Sequence, residues 1–449
     1  TKESKTLVLV VFRFTFGRPK VNPGVWGRVG PTKSQVRAGE ARKVTTRIAV
    51  LDGKCLEVYV MLDVIHLTKE LIAIESTDPG TMEGGVAAYI RSYLSGCGAE
   101  ITLLEVQPGR QNLMARLGGD LAGPALVLCC HMDTVVFGDG WTRDPLGAEE
   151  AEGRIYGRGS CDMKSGLACA LSAFRKTALA VQAGAKLKRP LALLCTVDEE
   201  ADMAGIGQAI ECGLVRKDDW VMDLEPTGGQ IQMAHKGRLW LEIDVQGVTA
   251  HASRPEQGAD AIAAAGELIA RARRDFLTRA GDGDPVLGRA TITFGQITGG
   301  YQPYVVPDRC RLWVDMRLAP PIDSETAQAI FREAAAQAEA AVPGVNVSIE
   351  VTGDRPCIPL HRDAPLLRAL QDACQAVTGK EPEACLFPGY TDTAVVAGTL
   401  GNVNCLSYGP GNLEQAHKPD EFVAMEDILR CEAVLEALIQ SEVLEQQGN

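Results

Sequence analysis

Short, continuous apolar runs, three of which run straight into acidic or imidazole side chains, constrain this chain more than any other feature. They are ALVLCC at 125–130, LALLCTV at 191–197, WVMDLE at 220–225, ACLF at 384–387 and NCLSYG at 404–409. Each is too short for a buried helix and lacks the alternation of a half-wet strand, so each suits a strand covered on both faces. Helical periodicity fills the gaps, in DVIHLTKELIAI at 63–74, KSGLACALSAFRKTALAV at 164–181 and AMEDILRCEAVLEALIQ at 424–440. This order predicts an α/β fold, a mostly parallel sheet with helices on both faces.

Between 237 and 352 the pattern changes. Leu239, Leu241, Ile243 and Val245 alternate with Trp240, Glu242 and Asp244, and Cys310, Leu312, Val314, Met316 and Leu318 alternate with charged residues and Trp313. Val347, Ile349 and Val351 repeat the pattern. With helical patterns at 258–275 and 323–342, the order is strand, helix, strand, strand, helix, strand, a ferredoxin-like α+β unit. The expected domains are therefore a larger α/β unit of 61–236 and 353–449, interrupted by an inserted unit of 237–352.

Residues 1–60 differ in character, carrying a net charge of +8 within a chain whose formal net charge is −13. TLVLVVF at 6–12 is cut short by Arg13 with no small-residue cleavage site behind it, which makes a poor secretory signal. We read 1–60 as a poorly ordered N-terminal extension, with an Arg-rich transit peptide as the alternative. The acidic balance of the rest argues against a nucleic-acid partner, and no apolar run reaches the ~18–20 residues of a membrane span. Fourteen cysteines without a C-x-x-C pair, several inside buried runs, read as reduced core thiols of a cytoplasmic protein.

The polar residues at the strand ends carry the chemistry. His131 and Asp133 follow the first run, Glu199 and Glu200 the second, Glu225 ends the third, and His417 lies beyond the run at 404–409, while Asp162 stands just before a helix. Ligands of open α/β sheets bind at the carboxyl ends of the strands. Imidazole mixed with carboxylate suits two divalent cations, Zn²⁺ with Co²⁺ or Mn²⁺ as alternatives. Asp162 is the natural bridge between them, and Cys130 and Cys161 are the sulfur alternatives. Asp133 is expected to accept the second ring N–H of His131. Adjacent glutamates in extended chain diverge, so Glu200 is assigned as ligand and Glu199 as general base.

The motifs HMDTV (131–135), GRGSCDMKSG (157–166), DEE (198–200), EPT (225–227) and AHKPDEF (416–422) resemble the M20 family of metallopeptidases and deacylases, over about 61–445. That family includes acetylornithine deacetylase, succinyl-diaminopimelate desuccinylase, aminoacylase and glutamate carboxypeptidase. The resemblance implies one cation on His131, Asp162 and Glu225 and another on Asp162, Glu200 and His417. It also implies an inserted lid through which a homodimer forms, His251 in GVTAHASRPEQGADAI as the lid histidine that reaches a neighbouring active site, and Arg317 in DMR as the partner of a substrate carboxylate. Gly389 and Thr391 in PGYTD would shape the pocket. GGYQPYVVPD at 299–308 departs from the family by placing Tyr304 where many relatives carry asparagine, which puts inherited substrate specificity in question.

The function expected is hydrolysis of an N-acyl amino acid, a small molecule with a free carboxylate. The alternatives are a carboxypeptidase or dipeptidase of the same family, and a catalytically silent metal-binding protein.

Overall fold

The computed structural model describes residues 63–446 together with the backbone of Thr46–Leu51 and Lys54–Tyr59, which pair antiparallel. The expected extension otherwise lies outside the described residues. From 63 onward two large sheets organise the chain, beside a small three-stranded one.

The larger sheet has eight strands in the order Ala384–Phe387, Ile231–His235, Cys405–Ser407, Trp220–Asp223, Leu126–His131, Leu191–Thr196, Arg110–Leu117 and Glu100–Gln107. Its four central strands, Cys405–Ser407 to Leu191–Thr196, are mutually parallel. The outer hairpin Glu100–Gln107 and Arg110–Leu117 adds antiparallel edges. All five apolar runs are strands of this sheet.

Successive residues of the central strands face opposite cores, as pleating requires. Leu126, Leu128, Cys130, Leu191, Leu193 and Cys195 pack against the helices Val64–Ile72, Gly84–Tyr93, Lys164–Gln182, Pro365–Thr378 and Met425–Glu442. Val127, Cys129, Ala192 and Leu194 pack against Ala204–Glu211 and Asp392–Leu400 on the other face. Each such leucine contributes about 1.5–3 kcal/mol by leaving water, and the two-sided burial explains the absence of alternation in these runs.

The smaller sheet holds Thr291–Gly299, Arg309–Leu318, Gly237–Gln246 and Asn346–Arg355 in that order, all antiparallel. Leu239, Leu241, Ile243, Val245 and Cys310 through Leu318 in alternation face the helices Ala261–Ala280 and Ser324–Ala341. Asp260 and Asp323 cap those helices by accepting the backbone N–H of Ala263 and Thr326, which starts each helix at a defined residue. Val351, expected on the covered face, is instead 42 % exposed. Its strand is the outermost, and the register against Gly237–Gln246 slips just there, between Trp240 and Leu241.

Candidate metal centre

The parallel strands aim their carboxyl ends at one cavity of about 350 Å³, lined by Asp162, Glu199, Glu200, Glu225 and His417 and walled by Phe387–Thr391. His131 is the last residue of its strand and Glu225 follows Trp220–Asp223 by two residues. Two glycines let the strand end carrying Glu225 come close to its neighbours. A Cβ on Gly166 would lie 2.1 Å from the Leu224 carbonyl oxygen, and one on Gly409 would lie 2.2 Å from the same atom and 2.5 Å from that of Glu225. Only a residue without a side chain fits such contacts.

Asp162 stands between the two histidines. Its Oδ1 is 3.1 Å from His131 Nε2 and its Oδ2 is 3.3 Å from His417 Nε2. Glu225 Oε1 lies 3.6 Å from His131 Nε2, and Glu200 Oε2 lies 3.0 Å from His417 Nε2. Glu199 offers an oxygen within 4.8 Å of donor atoms of both His131 and Glu225. Tetrahedral coordination with bonds of about 2.0–2.2 Å puts ligand atoms roughly 3.3–3.6 Å apart, so the donor set fits divalent cations in both chemistry and spacing.

The electrostatics point the same way. Burial alone would push the His131 imidazole down, but the hydrogen bond it donates to Asp162 and the charges of Glu225, Glu199 and Asp133 hold it well above its ordinary value. His417 is held up to about 10 by Asp162 and Glu200. Burial would raise Asp162, yet the two imidazoles keep it below the usual carboxylate range. Burial drives Glu199 and Glu225 well above that range, opposed by His131 and reinforced for Glu199 by Asp392 and for Glu225 by Asp162. Acidic groups so crowded draw protons or cations.

Asp133 behaves differently from expectation. Its carboxylate is 3.8 Å from His131 Nδ1, whereas that nitrogen lies 2.9 Å from the Asp133 backbone carbonyl. The carboxylate accepts the backbone N–H groups of Glu199 at 3.2 Å and Glu200 at 3.0 Å, because the turn after Leu191–Thr196 presents both donors to it. With Nδ1 donating to a carbonyl, the neutral imidazole would offer its Nε2 lone pair to a cation held on the Asp162 side, in place of the proton it otherwise shares with that carboxylate.

The cavity wall contains Gly389 and Thr391, although the Thr391 hydroxyl is engaged as the cap of Asp392–Leu400. His251 and Arg317 do not line the cavity. The exposed His251 ring is held through Nδ1 by Ser253 Oγ at 2.8 Å, and Arg317 Nε pairs with Asp315 Oδ2 at 3.1 Å. Cys130 and Cys161 are buried, and burial raises both thiols well above their ordinary value.

Several supporting residues escape a reading of the sequence. Glu421 Oε1 accepts the N–H groups of Cys161 and Asp162 at 2.8 and 3.1 Å, and Arg158 Nη1 holds its other oxygen at 2.5 Å. Arg110 ties Asp78, Glu83 and Asp198 together beside the 198–200 turn. Asp392, pushed up to about 7 by burial, accepts the Thr196 hydroxyl at 2.7 Å. Glu421 lies within AHKPDEF, so a motif marked its neighbourhood; Arg110 carries no comparable signal.

Known proteins give the same picture. A family model described as peptidase family M20/M25/M40 matches residues 127–441. The acetylornithine deacetylase of Proteus mirabilis (strain HI4320) is 32 % identical over 402 residues, spanning 86 % of this chain and 98 % of that protein. Among solved structures, aminopeptidase PepT from Bacillus cereus is similar with a TM-score of 0.69 at 22 % identity, over 84 % of this chain and 98 % of that one. The YXEP protein of Bacillus subtilis, described as a dinuclear metal binding peptidase from the M20 family, reaches a TM-score of 0.61 at 18 % identity, over 84 % and 97 %. These two likenesses bear on the fold; the family match spans the motifs that build the cavity. Among the described residues no helix is long and apolar enough to cross a membrane. The chain belongs to the M20/M25/M40 peptidase family, metal-dependent hydrolases of amide and peptide bonds.

Proposed function

We propose that the protein uses two divalent cations, Zn²⁺ first with Co²⁺ or Mn²⁺ as alternatives, to hydrolyse the amide of an N-acyl amino acid. The observation that carries this reading is Asp162, whose two oxygens each face a different imidazole. His131, Asp162 and Glu225 would hold one cation and Asp162, Glu200 and His417 the other. Bound there, two such cations polarise a carbonyl and acidify water.

The chain's own residues supply the rest. Glu199 takes a proton on its carboxylate and delivers it to the departing nitrogen, general acid–base work worth roughly 10²–10⁴-fold in rate. Asp133 fixes the backbone of Glu199 and Glu200, so that the base keeps its place beside His131. Residues 61–236 and 353–449 form the catalytic unit in this reading, and 237–352 a lid. His251 reaches a neighbouring active site in a homodimer and stabilises the developing oxyanion, and Arg317 meets the substrate carboxylate. Thirteen described cysteines are all free, which supports the reducing cytoplasm as its compartment.

Metal analysis combined with Glu199→Gln tests the reading. The expected result is two ions per chain in both proteins, with kcat lowered roughly 10²–10⁴-fold in the variant. Undiminished turnover would remove Glu199 from the role, and one ion or none would remove the paired site. A panel of N-acetyl amino acids, including the N-acetylornithine suggested by the curated relatives, set beside dipeptides separates deacylase from dipeptidase.

A further inference from the structure

Three arginines stand side by side where the lid sheet joins the larger one. Arg238 is opposite Arg317 on one neighbouring strand and opposite Arg355 on the other. Residues so paired have Cβ atoms about 4.5–5.5 Å apart on one face of a sheet, and like charges in that position repel. The opposite face of the sheet is the one the two helices cover.

Compensation for this row is sparse. Arg317 pairs with Asp315, which also accepts the Trp240 indole N–H at 2.5 Å. The Arg238 guanidinium lies 3.8 Å from the Trp240 ring centroid, and its buried Nε has no hydrogen-bond acceptor among the described residues. Arg355 gives one bond, at 3.2 Å, to the backbone carbonyl of Asp202. Among the described residues these three cations share one carboxylate.

The row borders the metal-side cavity. Asp202 follows Glu200 by two residues. Tyr390, part of the cavity wall, places its hydroxyl 3.2 Å from the Pro356 carbonyl, next to Arg355. A like-charge row in a sheet contradicts ordinary pairing, and such local contradictions concentrate at functional sites. Arginine forks match carboxylates in a bidentate manner, and two positive charges remain once Asp315 is counted.

The geometry points to a substrate with two carboxylates, one at Arg317 and the second between Arg238 and Arg355. This rests on the amidohydrolase reading and narrows it to an amide with an acidic group on either the amino-acid side chain or the acyl chain. A cationic side chain is disfavoured at the same place.

The test uses the full-length metal-loaded protein with N-acetylglutamate, N-succinylalanine, N-acetylalanine and N-acetylornithine. One of the first two is expected to exceed N-acetylalanine at least tenfold in kcat/KM, with N-acetylornithine lowest, and the leading compound tells which side carries the second carboxylate. Arg238→Gln should lower that preference at least fivefold while Arg238→Lys keeps most of it; Arg355→Gln serves if the first variant does not fold. Preference for N-acetylalanine or N-acetylornithine, or an unchanged ratio in the Gln variants, overturns the inference. If no amide is cleaved, the hydrolase reading fails, and calorimetry with glutarate and acetate decides the arginine row separately. At least tenfold tighter glutarate binding that is lost in Arg238→Gln upholds the row, and equal binding of the two overturns it.

Discussion

Replacing Arg110 with methionine removes every donor from the most heavily bonded buried cation beside the site. The guanidinium spends its five N–H groups on five contacts: Nε on Glu83, Nη1 on Gln107 and Asp198, and Nη2 on Asp78 and Glu83. Glu83 and Asp198 side chains are only 2 % and 5 % exposed, so water screens them little. Breaking a buried pair by deleting one partner costs about 3–5 kcal/mol, because the other charge is stranded. We expect Arg110→Met to lose that much at pH 8. Glu83→Leu added to it should restore more than about 1 kcal/mol by removing the carboxylate that takes two of the five bonds. Urea unfolding followed by tryptophan fluorescence and circular dichroism measures this, with coincident transitions as the condition for reading a free energy. A deficit below about 1 kcal/mol at pH 8, or a double variant no more stable than the single one, would refute the reasoning.

Two further predictions concern the metal centre. Without cations, His417 is held up to about 10 by Asp162 and Glu200, above the ~6.5 of an unfolded imidazole. A folded value above the unfolded one gives stability that is complete below pH ~6.5 and is lost as pH rises through about 10. Chelator-treated protein should therefore lose Tm across that window while metal-loaded protein does not, and parallel slopes would count against cation binding at His417. Gly409→Ala forces a Cβ against the Leu224 and Glu225 carbonyls, at a cost of about 1–3 kcal/mol. Because Glu225 shifts, metal affinity should fall roughly 10- to 100-fold; chelator competition giving wild-type affinity would show that the strand end tolerates the methyl.

How much of this was legible in the residue order depends on whether the physics is local. A strand covered on both faces must be apolar at every position, so Leu126–His131 and Leu191–Thr196 announce themselves, and whatever ends such a strand lies at the ligand-binding edge. That is why His131, Glu199, Glu200 and Glu225 could be picked out one run at a time. Strict alternation likewise exposed the strands of the smaller sheet, because only one of their faces meets the helices. The edge hairpin Glu100–Gln107 and Arg110–Leu117 gave no such signal: its outer strand is largely exposed, and mixed composition there is compatible with a loop. Asp133 was assigned by spacing alone, and spacing does not say that a turn sixty-six residues on will offer two backbone N–H groups to the same carboxylate. The row of Arg238, Arg317 and Arg355 is invisible for the same reason. Each arginine sits unremarkably on the polar face of its own strand, and only the register of three strands reveals that the polar faces combine into a charge the protein does not neutralise by itself. Residues gathered at strand ends can thus be read along the chain, whereas a row assembled across strands requires the sheet.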